Sequence, residues 1–142
     1  MAALHAEITE KEKHIVEVQG NINSMKAQLQ ALANRQVALE REKKRCQITR
    51  IELATLQPEH KVFKGIGRLF ASIPVNQLEA DMKDKEEKCG NEATRLGEEK
   101  IRLGTVLQGE EERGRVLVTE FMSLMRAAQS LNGGNSGAKA AQ

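Results

Sequence analysis

The chain has 142 residues, of which 30% are charged and only 2% are aromatic, and its formal net charge is +2. This composition excludes a compact core built on large aromatic side chains and is typical of long helices and coiled coils. Acidic and basic residues are interleaved, with no basic block and no aromatic residues set among Arg and Lys, so the composition also argues against a nucleic-acid-binding protein.

The first predicted element is a helix from about Ala3 to about Leu56. Its apolar residues repeat every seven positions in two series, which is the a/d pattern of a coiled coil. The d series comprises Leu4, Val18, Met25, Leu32, Leu39, Cys46 and Leu53, and the a series comprises Ile8, Ile15, Ile22 and Leu29. Near the end of this helix, Ile48 and Ile51 widen the apolar surface, so we expect contacts with more than one neighbour there.

A β-hairpin is predicted at about residues 60–74. β-branched and aromatic residues are concentrated there, and the segment Gly65-Ile66-Gly67 predicts a tight turn near its centre. An isolated two-stranded hairpin is marginally stable in water and leaves unpaired backbone groups at both edges. We therefore expect this hairpin to assemble with other chains, through Val62, Phe63, Ile66, Leu69 and Phe70.

A second helix is predicted from Pro74–Asn76 to about Leu131. Either Pro74 occupies its first turn, or Asn76 caps it with Glu79 as the reciprocal partner. Its apolar residues again follow a seven-residue repeat, in the series Val75, Met82, Cys89, Leu96, Leu103, Leu117, Leu124 and in the companion positions Ala93, Leu107, Phe121 and Ala128. Glu110 interrupts the first series. The Gly-rich residues 132–142 predict a flexible tail.

These elements predict a mainly α fold in which residues 3–131 form a long antiparallel coiled-coil helical hairpin with a single β-hairpin between the helices. A short connection makes the helices antiparallel, so residues equally far from Ile66 should meet. Cys46 should then lie near Lys85, and Cys89 near Lys43. Two thiols are a poor ligand set for a metal, and the interpretation as reduced packing thiols is favoured over a disulfide or a metal pair.

The end of the coiled coil farthest from the hairpin is more apolar than a two-helix seam requires. Exposed apolar surface usually marks a contact site, and flexible methionines suit partners of varied shape. The residues expected to bind a partner there are Leu4, Ile8, Val118, Phe121, Met122 and Met125. Phe121 is also expected to close the seam between the helices, together with Leu117.

The sequence offers little support for catalysis. The three histidines, His5, His14 and His60, lie on different segments without a carboxylate or cysteine at ligand spacing. We therefore expect no metal, no cofactor and no enzymatic activity. No apolar run approaches the roughly 18 residues of a membrane span, and the N-terminus lacks the basic segment of a signal peptide, so we expect a cytoplasmic protein.

The stretch Val62-Phe63-Lys64-Gly65-Ile66-Gly67-Arg68-Leu69-Phe70, flanked by long helices, resembles the β-type subunits of the prefoldin family. The resemblance implies a heterohexamer in which the partners are two α-type and three further β-type subunits, with the hairpins joined in a central double β-barrel. It also implies that the tips of the coiled coils bind non-native polypeptides, such as actin and tubulin chains, and pass them to the cytosolic chaperonin without using a nucleotide.

Two other interpretations stay open on the residues alone. The chain is alternatively a homodimeric structural coiled-coil scaffold held by continuous heptads, although the interruption between Pro58 and Pro74 argues against an unbroken rod. The other alternative is a helical arm that binds RNA, against which the balanced charge argues.

Overall fold

A computed structural model of the chain describes residues 2–137. In chain order the elements are α1 (Ala2–Ala54), β1 (Val62–Ile66), β2 (Leu69–Ile73) and α2 (Val75–Gly137). The predicted fold class, two long helices with one β-hairpin between them, is confirmed. The chain forms two compact units: Gln30–Ile101, here called the hairpin unit, and Met1–Leu29 with Arg102–Gln142, here called the terminal unit.

The core of the hairpin unit is the predicted apolar seam. Its buried residues at predicted positions are Leu39, Cys46 and Leu53 from α1, and Cys89, Ala93 and Leu96 from α2. Leu78, which the predicted repeat did not include, is buried as well. Leu39 packs with Cys89, Ala93 and Leu96 in one cluster, against which Leu32 is partly buried. A seven-residue repeat returns nearly to the same side of a helix, and this is why the predicted positions point inward together.

The terminal unit has a thinner core. Among its described residues only Val18 and Ile22 are apolar and fully buried. Glu110 occupies a position of the α2 seam, and its Oε2 atom is buried without a hydrogen-bond partner among the described residues. The interruption of the predicted α2 series at Glu110 therefore coincides with a buried carboxylate oxygen that loses its hydration, which disfavours the folded state.

Within each unit the two helical segments run antiparallel. In the hairpin unit, Gln36 Nε2 donates to the Ala93 carbonyl oxygen at 3.5 Å, and Arg50 Nη1 lies 2.6 Å from Glu86 Oε2. In the terminal unit, Lys11 forms an ion pair with Glu120. Each contact joins residues about equally far from Ile66, so the predicted register is confirmed in each unit.

The turn of the hairpin lies slightly later than predicted. Ile66 pairs with Leu69, which leaves Gly67 and Arg68 as a two-residue turn. Gly67, the first residue of the turn, has φ of 61°, and Arg68, the second, does not have a positive φ. A positive φ at the first position alone is the feature of a type II′ turn. The prediction centred on Gly65-Ile66-Gly67 is wrong in this detail, because Gly65 and Ile66 belong to β1.

The helix boundaries also differ by a few residues. α1 ends at Ala54 rather than at Leu56. The chain continues in a tighter turn, in which the Leu56 N–H donates to the Leu53 carbonyl oxygen three residues earlier at 3.2 Å. α2 begins at Val75, with a first helical hydrogen bond from Leu78 to Pro74, so Asn76 lies inside the helix rather than capping it. α2 continues beyond the predicted end at Leu131 to Gly137, and residues 138–142 of the predicted tail lie outside the described residues.

Candidate functional site

The β-hairpin presents apolar side chains on both of its faces. Cross-strand pairing places Ile66 beside Leu69 on one face, and side-chain alternation puts Phe63 and Phe70 on the other. All four side chains are exposed, Leu69 to 75% and Phe70 to 79%, whereas Val62 is half-buried. Four large apolar side chains on ten strand residues form a concentrated hydrophobic surface, as expected of a contact site.

The edges of this sheet are open as well. The sheet contains only β1 and β2, so within the described chain each strand has a neighbour on one side alone. The outer edge of each strand carries backbone N–H and C=O groups available to another strand. The hairpin therefore has both the hydrogen-bonding groups and the apolar side chains needed to extend a sheet with strands from other chains.

Gly65 is explained by its partner across the hairpin. It pairs with Phe70, and a Cβ atom at Gly65 would lie 3.5 Å from Cε1 of the Phe70 ring. The aromatic ring thus covers the glycine backbone of the neighbouring strand, which compensates for the missing side chain.

The part of the hairpin unit next to the strands contains a groove of about 700 Å³, with Gln47, Arg50, Ile51, Ala54, Asn76, Glu79, Ala80 and Lys83 along its walls. Ile48 and Ile51 are both exposed here. The apolar surface predicted from these isoleucines is therefore present and is not covered within the unit. The predicted contact with further neighbours stays a prediction.

Ion pairs hold the two helical segments of the hairpin unit in register. Lys85 Nζ lies 2.6 Å from Glu42 Oε1, and this pair lowers the pKa of Glu42 and raises that of Lys85. Glu86 accepts hydrogen bonds from Gln47 and Arg50, and both lower the pKa of Glu86, with the larger contribution from Gln47. These side chains are partly exposed, so each pair contributes little stability but selects one alignment of the helices.

The tip residues divide into two groups in the terminal unit. Leu4, Ile8 and Phe121 are half-buried, which agrees with the predicted role of Phe121 in the seam. Val118, Met122 and Met125 are exposed, Met122 to 53%. The exposed group forms an apolar surface accessible to solvent, whereas the half-buried group lies partly within the seam, and binding of a partner by either group stays a prediction.

The cysteines and histidines form no chemical centre. Cys46 and Cys89 are free thiols buried in the hairpin unit, and burial raises the pKa of Cys46. No group of three His, Cys, Asp or Glu side chains within residues 2–137 is placed to hold a metal ion. No helix in that part of the chain is both long and apolar enough to cross a membrane.

The chain is similar to known proteins both in sequence and in fold. A family model described as prefoldin subunit matches residues 16–119. Among solved structures, the chain is similar to the prefoldin beta subunit from Thermococcus strain KS-1, with a TM-score of 0.63 and 18% sequence identity over 72% of this chain and 90% of that chain. A search of curated proteins finds no match. At this identity the structural likeness concerns the fold alone.

Proposed function

This chain belongs to the prefoldin family, whose members are chaperone subunits without enzymatic activity, and we propose that it is a β-type subunit of a hexameric co-chaperone. In this proposal the complex captures non-native polypeptides in the cytoplasm and delivers them to the cytosolic chaperonin without nucleotide. Actin and tubulin chains are the proposed clients, as the resemblance implies. The partners are two α-type and three further β-type subunits.

The observation that carries this proposal is the exposed hairpin. Its two outer edges have no partner strand within the described chain, and it exposes Phe63, Ile66, Leu69 and Phe70 to solvent. An edge of this kind pairs readily with other strands, and its burial in an assembly removes four large apolar side chains from water. We assign assembly to these four residues together with Val62.

Client capture is assigned to the apolar surface of the terminal unit. Val118, Met122 and Met125 form its exposed part. Methionine side chains are flexible and polarizable, so one surface of this kind accommodates the varied apolar segments of different unfolded chains. Leu4, Ile8 and Phe121 contribute as the adjoining half-buried residues.

Within the β-type subunits we propose the position of eukaryotic prefoldin subunit 1. The support is the order of residues in the hairpin, where Gly65, Gly67 and Arg68 are followed by the apolar pair Leu69 and Phe70. In that subunit an aromatic residue, a charged residue, Gly-x-Gly-Arg and an apolar-Phe pair stand in the same order, as the resemblance implies.

The test is the native mass of the complex purified from its own cells through a tag on this chain. A particle of six different small helical chains, with this chain present once, supports the proposal and identifies its neighbours. A particle holding two copies of this chain alone overturns it and favours the homodimeric scaffold. The purification is repeated with the tag at the other end of the chain, as a control for a tag that blocks a contact with a partner.

A further inference from the structure

A second groove in the hairpin unit combines an exposed valine with basic residues. The groove has a volume of about 370 Å³, and its walls are Ala33, Gln36, Val37, Glu40, Arg41 and Lys44 from α1 and Lys100 from α2. Val37 is 50% exposed and lies outside the buried seam. An exposed apolar side chain among the walls of a concave surface offers a contact for another apolar side chain.

The positively charged side chains of this groove have no carboxylate partner among the described residues. Arg41, Lys44 and Lys100 form no ion pair with any residue in the described part of the chain, whereas in the same unit Arg35 lies 3.2 Å from Glu92, a carboxylate that pairs with it. Glu40 is the single carboxylate among the lining residues, so three cations and one anion leave a charge of +2. The groove therefore attracts negatively charged groups more strongly than the paired surfaces around it.

The α2 side of the groove is held in place by a small hydrogen-bond network. Lys100 Nζ donates to Gln36 Oε1 at 3.3 Å, and Gln36 Nε2 donates in turn to the Ala93 carbonyl oxygen. Gly97 makes room for this arrangement, because a Cβ atom there would lie 3.2 Å from Gln36 Nε2. The network restrains the Lys100 side chain before any partner binds, which lowers the entropic cost of binding.

We propose that this groove docks an acidic peptide segment of a partner protein, with an aliphatic side chain seated on Val37 and carboxylates paired with Arg41, Lys44 and Lys100. Its lining residues include none of the residues assigned above to assembly or to client capture, so its role goes beyond both. A nucleic acid fits less well, because none of the three phenylalanines, Phe63, Phe70 and Phe121, lines the groove and the chain contains no Trp or Tyr on which bases stack.

The test uses the full-length chain together with the subunits that co-purify with it. The probe is a fluorescein-labelled peptide of glutamates around a central leucine, and binding is followed by fluorescence anisotropy. The double variant Arg41→Gln/Lys44→Gln should weaken binding by about fivefold, since each exposed pair contributes a modest free energy. The matched control Arg95→Gln/Lys88→Gln removes the same charge from exposed residues of the same unit that line neither groove, and it should leave binding unchanged.

Two changes of the probe separate docking from general attraction. Serine in place of the leucine, or glutamine in place of the glutamates, should each weaken binding, and added salt should weaken the glutamate peptide. Equal binding of the peptide by both double variants overturns the proposal. It is also overturned if single-stranded polyuridine RNA binds the wild type more tightly than the peptide does and this RNA binding is lost in Arg41→Gln/Lys44→Gln. Circular dichroism of both variants should show unchanged thermal unfolding, because all four residues are exposed.

Discussion

Lys85 and Glu42 join α2 to α1 across the hairpin unit, with 2.6 Å between Nζ and Oε1. The hydrogen bond from Lys85 is the main reason that the pKa of Glu42 falls below its ordinary value of 4.5. A carboxyl group with a lowered pKa in the folded state adds stability at pH values above the ordinary pKa. That contribution is lost as the pH falls through the lowered folded-state pKa, where the folded chain must also take up the proton.

The first prediction concerns this pair. Glu42→Gln should lower the free energy of unfolding at neutral pH by about 0.5 kcal/mol, because the pair is partly exposed to water. As the pH falls below 4.5 and through the lowered pKa of folded Glu42, the two proteins should converge, since the wild-type carboxylate takes up a proton over that range. Thermal unfolding followed by circular dichroism across this range measures the difference.

Glu87→Gln is the control for that prediction. Glu87 is exposed, forms no ion pair with any residue from 2 to 137, and lies beside Glu86 on the same helix. Its removal should leave both the neutral stability and the acid dependence close to those of the wild type. A Glu42→Gln protein that keeps the full acid sensitivity of the wild type contradicts the role given to the Lys85 pair.

The second prediction concerns assembly. The double change Phe63→Ser/Phe70→Ser should release the chain from its complex, because both rings are exposed in the chain alone and are proposed to be buried between subunits. The loss of two buried aromatic side chains amounts to about 3 kcal/mol or more. Co-purification of the other subunits through a tag on this chain measures the effect.

Val16→Ser/Val106→Ser is the matched control for assembly. Both valines are exposed apolar residues, on helices rather than on the hairpin. This control should co-purify the same subunits as the wild type. If the phenylalanine variant retains its partners in normal amounts, the hairpin does not hold the assembly.

The third prediction concerns the tip. Met122→Asp/Met125→Asp should weaken the suppression of client aggregation while the complex stays assembled, because charges replace the exposed apolar surface. The assay follows light scattering of chemically unfolded actin in the presence of the complex. Val106→Asp is the control, since Val106 is as exposed as Met122, at 53%, and is not among the proposed tip residues. An unchanged assay with the double variant removes the tip assignment.

The sequence predicted the helix interface well because its signal is local and periodic. Val18, Leu39, Cys46 and Leu53 are buried at the positions that the seven-residue repeat assigned to them. The antiparallel register followed from the short connection alone. The same repeat predicts that Phe121, four residues after Leu117, lies in the seam, and Phe121 is half-buried whereas its neighbour Met122 is exposed.

Features that depend on contacts between distant residues were predicted less well. Gly65 and Gly67 both suit a turn in the sequence, and only the pairing of Ile66 with Leu69 decides that Gly67 begins it. The basic groove was missed because the sequence shows Arg41 and Lys44 as an ordinary charged face. Lys100 completes the groove from the other helix, and no local pattern connects it with Val37.

The last prediction uses the glycines to separate helix propensity from packing. Gly109 and Gly114 both lie within α2, where replacement of glycine by alanine gains about 1 kcal/mol. A Cβ atom at Gly109 meets nothing within 4 Å, whereas one at Gly114 lies 3.5 Å from Val18 Cγ1 and 3.7 Å from Ile22 Cδ1, which are ordinary contact distances. Gly109→Ala should therefore stabilise the chain through propensity alone, and Gly114→Ala should stabilise it further by covering part of the seam.

Gly67→Ala is the opposing case in the same series. Gly67 has φ of 61°, a conformation that alanine adopts only at a cost of about 1 kcal/mol, so this change should destabilise the chain. Thermal unfolding of the three variants should give the order Gly114→Ala, Gly109→Ala, wild type and Gly67→Ala, from the highest midpoint to the lowest. If Gly114→Ala melts below Gly109→Ala, the space opposite Val18 and Ile22 is smaller than the structure shows, and the seam of the terminal unit is closed without a side chain at this position.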